Sequence, residues 1–157
     1  MAHITLGKAL KVKNRLTGRL AKVQADIQAY NSVPAGQADQ VNVPALMQTR
    51  AELVAALVGL KTAINDANRE AQRDIYDLAE KKATAQFLNG VSTRHGPQPP
   101  IYPSTIEVNY VGALKKADVD AQVAGLEKEI DQLQDRLDQF NHDRKIEVDG
   151  RTLELAS

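Results

Sequence analysis

The segment between residues 93 and 110 holds the side chains whose chemistry stands out most clearly. Thr93-Arg94-His95-Gly96 comes first, followed by Tyr102, Ser104, Asn109 and Tyr110. Arginine offers a planar fork of N–H donors, tyrosine and histidine offer ring faces, and asparagine offers an amide. Such side chains suit a phosphate, a carboxylate or a nucleobase. We therefore expect a site for a small anionic or nucleotide-like ligand in this segment.

Further basic and polar residues stand at the ends of two predicted helices, and we expect them to join the same site. Connections beside a rigid scaffold are where binding residues concentrate. The structural alternative remains open for each one, because Asn68 and Asn141 are also helix terminators and arginines are commonly solvated. The complete set of predicted ligand-binding residues is Asn68, Arg69, Arg73, Arg94, His95, Tyr102, Asn109, Tyr110 and Arg144.

The sequence carries no recognisable catalytic or metal-binding pattern. It has no cysteine, which excludes thiolate ligands and cysteine nucleophiles. His3, His95 and His142 are far apart and lack partners at the spacing of helical metal ligands. A Gly-x-Ser-x-Gly motif and glycine-rich phosphate loops are also missing. We expect no enzyme, no cofactor and no metal, although the many carboxylates leave acid–base pairs as an alternative.

Composition favours helices in one cytoplasmic domain. The chain of 157 residues is 43% hydrophobic but only 4% aromatic, which suits interdigitating aliphatic helices. It has no run of 18 apolar residues, and its start, Met1-Ala2-His3-Ile4-Thr5, lacks the apolar part of a signal peptide. We expect a cytoplasmic protein without a membrane span.

Charge is unevenly distributed although the net charge is zero. Residues 1–30 hold six basic side chains against Asp26 alone, whereas residues 118–140 hold seven acidic side chains against Lys128 and Arg136. A basic first helix is typical of nucleic-acid binding. An acidic helix in the same chain makes pairing within or between subunits the favoured interpretation, so nucleic acid is the less favoured partner.

Apolar residues recur at alternating spacings of three and four, which predicts helices over about 5–31, 44–68 and 115–141. A weaker pattern predicts another helix over 73–89. It leaves open whether residues 68–74 break the helix or continue it. The predicted stripes are Leu6, Ala9, Leu16, Leu20, Val23, Ile27 and Tyr30; Leu46, Leu53, Leu57, Leu60, Ile64, Ala67 and Ala71; and Val119, Val123, Leu126, Ile130, Leu133, Leu137 and Phe140.

Two charged residues, Lys13 and Arg50, interrupt these stripes. Polar residues in a helical seam often set register or oligomer number. We expect the acidic helix to supply their partners.

Strands are predicted in two places. Residues 105–111 alternate with period two after a Pro-rich loop over 91–105, which holds four of the six prolines. Residues 145–155 read as a hairpin about Asp149-Gly150, added to the strand near residue 108 or to another subunit. The expected fold is mainly α, with long heptad-patterned helices in an antiparallel coiled-coil bundle and a small β element, as one domain over 1–157.

The chain resembles the septicolysin-like family of small bacterial and phage proteins. The resemblance rests on Gly7-Lys8-Ala9-Leu10 through Arg15-Leu16 and Arg19-Leu20, on Ile64-Asn65-Asp66-Ala67-Asn68, on Ser104-Thr105-Ile106-Glu107-Val108, and on Leu137-Asp138-x2-Asn141. It implies a helical fold with a small β element, and oligomerisation. Small phage proteins of similar build can sequester nucleotide immune signals. This likeness is one of overall architecture and not of a shared motif.

We therefore expect a non-enzymatic homo-oligomer that holds a small anionic or nucleotide-like ligand between its subunits. If phage-encoded, it would act in the host cytoplasm as a sponge for a nucleotide immune signal. The alternative is a structural or adaptor coiled coil that works through protein–protein contacts.

Overall fold

The computed structural model describes residues 1–37 and 40–157. It is mainly helical and forms two compact units. Unit 1 comprises residues 1–71 and 138–157, and unit 2 comprises residues 72–137. Residues 38 and 39, within the loop predicted over 33–42, lie outside the described part.

The predicted combination of long helices and a small β element is confirmed. The elements are β1 (Ala2–Thr5), α1 (Leu6–Tyr30), α2 (Val43–Asn68), α3 (Gln72–Gly90), β2 (Gly96–Gln98), β3 (Val108–Tyr110), α4 (Lys116–Asp143), β4 (Lys145–Val148) and α5 (Gly150–Glu154). All four predicted helices begin and end within two residues of these bounds. A turn over residues 69–71 separates α2 from α3, so the helix is interrupted where the sequence left the question open.

Local side-chain hydrogen bonds start the first two helices. The Thr5 hydroxyl accepts the Lys8 N–H at 3.2 Å, as its predicted capping role requires. The Asn42 side chain accepts the Ala45 N–H at 3.0 Å, and Pro44 lies in the first turn of α2. A cap of this kind stabilises a helix by about 1 kcal/mol.

The core of unit 1 lies between α1 and α2. Leu6, Leu16 and Leu53 are fully buried there. The α2 stripe is confirmed over Leu53, Leu57, Leu60, Ile64 and Ala67. In α1, however, Val12 is buried in place of Lys13, because Val12 continues the i, i+3, i+7 spacing from Ala9 to Leu16. Tyr30, placed on the stripe by the sequence, is 41% exposed.

Lys13 and Arg50 lack the acidic partner predicted for them within the described residues. Both are half-buried, and within the part that the structure describes neither forms an ion pair. The prediction that Lys13 interrupts a seam was wrong, since it lies beside the seam rather than in it.

The predicted hairpin over 145–155 was wrong. β4 pairs with β1 in antiparallel register, Ala2 opposite Val148 and Thr5 opposite Lys145, and α5 follows as a helix. The Asp149 carboxylate accepts the Arg151 N–H at 3.2 Å and so caps α5. A type I′ turn at Asp149-Gly150 would need positive φ at both residues, and among the described residues only Gly96 has it.

Unit 2 consists of α3, the first part of α4 and the segment between them. Asp74 pairs with Arg136 at 3.2 Å, and Lys81 pairs with Glu129 at 2.6 Å. From the first pair to the second, the residue number rises along α3 and falls along α4. The two helices therefore run antiparallel. Apolar contacts among Leu88, Val119 and Val123 close one end of this helix pair.

The strand predicted over 105–111 is shorter, and its partner differs from the expected one. β3 begins at Val108 and pairs with β2, Gly96 opposite Tyr110 and Gln98 opposite Val108. It does not pair with the C-terminal strand. The predicted Pro-rich loop therefore contributes a strand of its own, in which Pro97 stands opposite Asn109.

α2 is the one helix in the described part that is long and apolar enough to cross a membrane by length and composition. The core helix of a water-soluble protein has the same properties, and one face of α2 does line the core of unit 1.

Candidate functional site

Arg94 and Tyr110 meet at the two-stranded β2–β3 sheet of unit 2. The Arg94 guanidinium lies over the Tyr110 ring, with its carbon 5.7 Å from the ring centroid. Strand pairing explains the meeting, because Arg94 precedes β2 by two residues and Tyr110 is opposite Gly96 in β3. A guanidinium within about 6 Å of an aromatic face is attracted to the ring electrons.

This pair borders a cavity of about 280 Å³ within unit 2. Besides Arg94 and Tyr110, two uncharged polar residues line it, Gln98 and Ser104. The rest of the wall is apolar and consists of Pro99, Pro100, Ile101, Ile106 and Val108. Pockets for drug-sized ligands typically have volumes of about 300–1,000 Å³. The cavity within one chain therefore accommodates a base or a phosphate with its sugar, and little more.

Two polar side chains could orient a ligand in this cavity. The Ser104 oxygen accepts the Ile106 N–H at 3.2 Å, which leaves the hydroxyl proton to donate elsewhere. Gln98 lies in β2 and carries an amide with both donor and acceptor atoms. With Arg94 and Tyr110, the site offers one cation, one amide and two hydroxyl-bearing side chains beside an apolar wall.

The base of the sheet is held by a close backbone approach. A Cβ at Gly112 would lie 2.9 Å from the Arg94 carbonyl oxygen, so only glycine fits there without a shift. The Gly112 N–H donates to His95 Nδ1 at 3.2 Å, which leaves the His95 proton on the other ring nitrogen. Gly96, with φ of 81°, occupies backbone space that favours glycine. These three residues position Arg94 relative to β3.

Arg94 lacks the carboxylate contacts that several other arginines of the described chain form. Arg136, Arg144 and Arg151 each pair with an acidic side chain, whereas Arg94 forms no ion pair with any residue that the structure describes. Arg94 is an exposed residue, and its guanidinium lies over the Tyr110 ring. Such a cation keeps its full fork of donors for an anionic ligand.

The structure gathers some of the predicted site residues and separates others. His95, Asn109 and Tyr102 belong to the same segment as Arg94 and Tyr110, but none of the three lines the cavity, and Tyr102 is 94% exposed. Arg73 is exposed in the first turn of α3, and it does not line the cavity.

Three predicted residues lie in unit 1, in structural contacts of their own. Asn68 is the last residue of α2, and Arg69 pairs with Asp66 at 3.1 Å. Arg144 holds Glu70 with two contacts of 2.9 and 3.3 Å. The ion pairs of Arg69 and Arg144 match the structural alternative that the sequence left open.

Sequence reasoning missed Gln98 and the apolar wall of the cavity. Gln98 faces the site through the β2–β3 pairing, and a three-residue strand that begins Gly96-Pro97 gives no strand signal. Ile101 is an exposed apolar residue of the Pro-rich segment, and no periodic pattern marks it. Ile106 and Val108 belong to the period-two pattern over 105–111, but that pattern does not indicate that they line a cavity.

The shifted pKa values lie outside this cavity. The hydrogen bond from Lys81 to Glu129, together with nearby Asp77, raises the pKa of the lysine above its ordinary value. The hydrogen bond to Glu52, together with Glu154, raises the pKa of Arg151. Both are ion-pair effects, and neither group lines the Arg94 cavity. In the described residues no three His, Asp or Glu side chains are grouped so that they could hold a metal ion.

The chain matches no protein-family model, no curated protein sequence and no solved structure. Its candidate function therefore rests on the chemistry of the site.

Proposed function

We propose that this chain is a non-enzymatic, homo-oligomeric protein that binds a small anionic, nucleotide-like ligand at the Arg94–Tyr110 cavity. The observation that carries the proposal is the exposed Arg94 guanidinium, unpaired with any described carboxylate and stacked on Tyr110 at the mouth of a cavity. In this arrangement Arg94 binds phosphate, the Tyr110 ring and apolar wall contact a base, and Ser104 and Gln98 orient the ligand.

The size and the rim of the cavity support a site shared between subunits. At about 280 Å³ it encloses only part of a nucleotide-like ligand. Ile101 and Ile106 line it and are 70% and 71% exposed, an apolar surface that a second subunit would cover. Binding without catalysis lowers the free concentration of the ligand. This is the action of a sponge, and a phage-encoded chain of this kind would sequester a nucleotide immune signal in the host cytoplasm.

Thermal unfolding with a set of probes tests the proposal. The probes are the four nucleoside 5′-monophosphates, cyclic AMP, adenosine and inorganic phosphate. A bound probe at a hundredfold excess over its dissociation constant adds about 2.7 kcal/mol of apparent stability. Adenosine and phosphate separate the contributions of base and anion.

A matched pair of variants assigns any binding to the site. Arg94→Gln removes the cation at the cavity and should abolish the shift, whereas Arg69→Gln makes the same chemical change in unit 1 and should preserve it. No shift with any probe, together with no small molecule retained on the purified protein, would contradict the proposal.

The second candidate is a structural or adaptor protein that acts through protein–protein contacts. The exposed apolar residues of α2 favour it, with Val58 60% and Met47 50% exposed. In this case Arg94→Gln should leave the activity in cells intact. Loss of that activity in Arg94→Gln, with Arg69→Gln unaffected, would support ligand binding.

A further inference from the structure

The outer face of α2 carries a ridge of small and apolar side chains. Ala51, Ala55, Val58 and Thr62 follow spacings of four, three and four, and all are exposed. This spacing places them on one side of a helix, opposite the buried residues Leu53, Leu57, Leu60 and Ile64. A helix with apolar residues on both its inner and outer faces has a surface that nothing in unit 1 covers.

A groove of about 440 Å³ runs along one side of this ridge. α2 lines it with small residues, Ala55, Ala56, Gly59 and Ala63, while β4 contributes Val148 and Leu155 follows the end of α5. A Cβ at Gly59 would meet no heavy atom within 4 Å. The groove therefore reaches down to the helix backbone and has room for an inserted aliphatic side chain.

The rim of the groove is acidic. Glu147 and Asp149 border it, and neither forms an ion pair with a described residue. Glu52 also borders it, but its carboxylate is held by Arg151 at 2.8 Å. Met1 and Arg151 also line the groove, so its edge carries three acidic side chains against one basic side chain, beside an apolar floor.

The other side of the ridge has the complementary character. Val54, Val58 and Lys61 follow one another at spacings of four and three, which places them on a common side of α2. At 3.6 residues per turn, Val54 lies roughly 140° around the helix from Gly59. Lys61 is exposed and forms no ion pair with the described residues. This side offers aliphatic side chains with a cation beside them.

We propose that a second copy of this chain covers the outer face of α2, with the two α2 helices packed in roughly the same direction about a two-fold axis. Such an axis brings opposite sides of two identical helices together. Val58 of each copy fills the groove beside Gly59 of the other, and Lys61 of each faces the acidic rim of the other. The inference rests on the homo-oligomeric part of the proposed function and gives that oligomer an interface.

Shape and charge favour a second copy over other occupants. The projecting Val58 and the open Gly59 are adjacent in one helix, so one contact satisfies both when it is reciprocal. Small residues allow two helix backbones to approach closely. A lipid surface would cover the apolar ridge, but it would leave Lys61, Glu147 and Asp149 to be desolvated without partners.

Filling the groove tests the shape argument. Gly59→Leu places its Cβ in open space, and Gly125→Leu is the matched control, because Gly125 is also helical with open space at its Cβ. Self-association of the full chain is measured by native mass spectrometry and light scattering over a range of concentrations. Gly59→Leu should weaken the dimer by about 100-fold or more, and Gly125→Leu should leave its dissociation constant unchanged.

A charge exchange tests the orientation. Lys61→Glu and Glu147→Lys should each weaken the dimer by about 3- to 10-fold at low salt. The double variant should regain the affinity of the wild type, and Lys22→Glu, an exposed reversal on α1, should have no effect. Because the natural chain lacks cysteine, Lys61→Cys and Glu147→Cys proteins can also be mixed. A short bismaleimide should link one to the other.

Several results would overturn this interface. They are a monomeric wild type, an oligomer that Gly59→Leu leaves intact, a charge exchange without rescue, or co-flotation of the protein with phosphatidylcholine vesicles. The probe-binding assay with Arg94→Gln keeps the two proposals apart. Intact probe binding in an oligomer insensitive to Gly59→Leu rejects this interface alone. Absent probe binding in an oligomer that Gly59→Leu dissociates rejects only the ligand.

Discussion

The Arg94 guanidinium lies 5.7 Å from the centroid of the Tyr110 ring, at the wall of an open cavity. The ring holds the planar cation from one side and leaves its N–H donors accessible. An exposed cation–π pair contributes about 0.5–1 kcal/mol, enough to orient an arginine that forms no ion pair with any described carboxylate. Ligand binding at this site should therefore depend on the shape of the cation as well as on its charge.

Arg94→Lys tests this dependence on shape. Lysine keeps the charge but loses the planar fork and the flat contact with Tyr110. We expect the affinity for a bound nucleotide probe to fall by about 10-fold, since hydrogen bonds to charged groups contribute about 1.5–3 kcal/mol each. Isothermal titration calorimetry measures the change. Wild-type affinity in Arg94→Lys would show that binding depends only on the positive charge at this position.

Gly112→Ala tests the positioning of the sheet. The added methyl would stand 2.9 Å from the Arg94 carbonyl oxygen, so the backbone of one strand must move. We expect weaker probe binding and an unchanged melting of unit 1. Gly90→Ala, at the end of α3 with open space at its Cβ, is the control. Equal affinities of the two variants for the probe would show that Gly112 does not position the site.

Leu53→Ala tests the core of unit 1. Leu53 is fully buried between α1 and α2, and loss of a buried leucine side chain destabilises a protein by about 2–5 kcal/mol. Urea unfolding monitored by circular dichroism should show a lower midpoint. Val111→Ala, at a position 84% exposed, should change the free energy of unfolding by less than about 0.5 kcal/mol. Similar midpoints for both variants would contradict the assigned core.

The Lys81–Glu129 pair makes a pH-dependent contribution to unit 2. The pKa of Lys81 is raised in the folded chain, first by its hydrogen bond to Glu129, so the charged lysine favours the folded state. This contribution is fully present below the ordinary lysine pKa and is lost as pH rises through the raised value. The melting temperature of wild type should exceed that of Lys81→Gln at neutral pH. The difference should shrink in strongly alkaline solution, and a constant or growing difference would contradict this assignment.

The helices could be predicted because their signals are local. Thr5, Pro44 and the apolar spacing of α2 mark the helix starts and the buried face without reference to the rest of the chain. The choice between Val12 and Lys13 was decided by the 3.6-residue turn of the packed α1, which a heptad pattern approximates only over short lengths.

The strand pairings could not be predicted because they are long-range. β4 pairs with residues at the other end of the chain, and the same Asp149 that suggested a turn instead caps a helix. The candidate site shows the same contrast between local and long-range features. Arg94 and Tyr110 were found from their chemistry, whereas the roles of Gln98 and Gly112 depend on the β2–β3 register.

Native mass spectrometry of the freshly purified full chain, compared with the same sample after denaturation, tests the central claim most directly. We predict a homo-oligomer that carries an additional nucleotide-sized mass, which denaturation releases and Arg94→Gln fails to retain. A bare mass in wild type, unchanged when the nucleotide probes are added, would contradict the account of ligand binding.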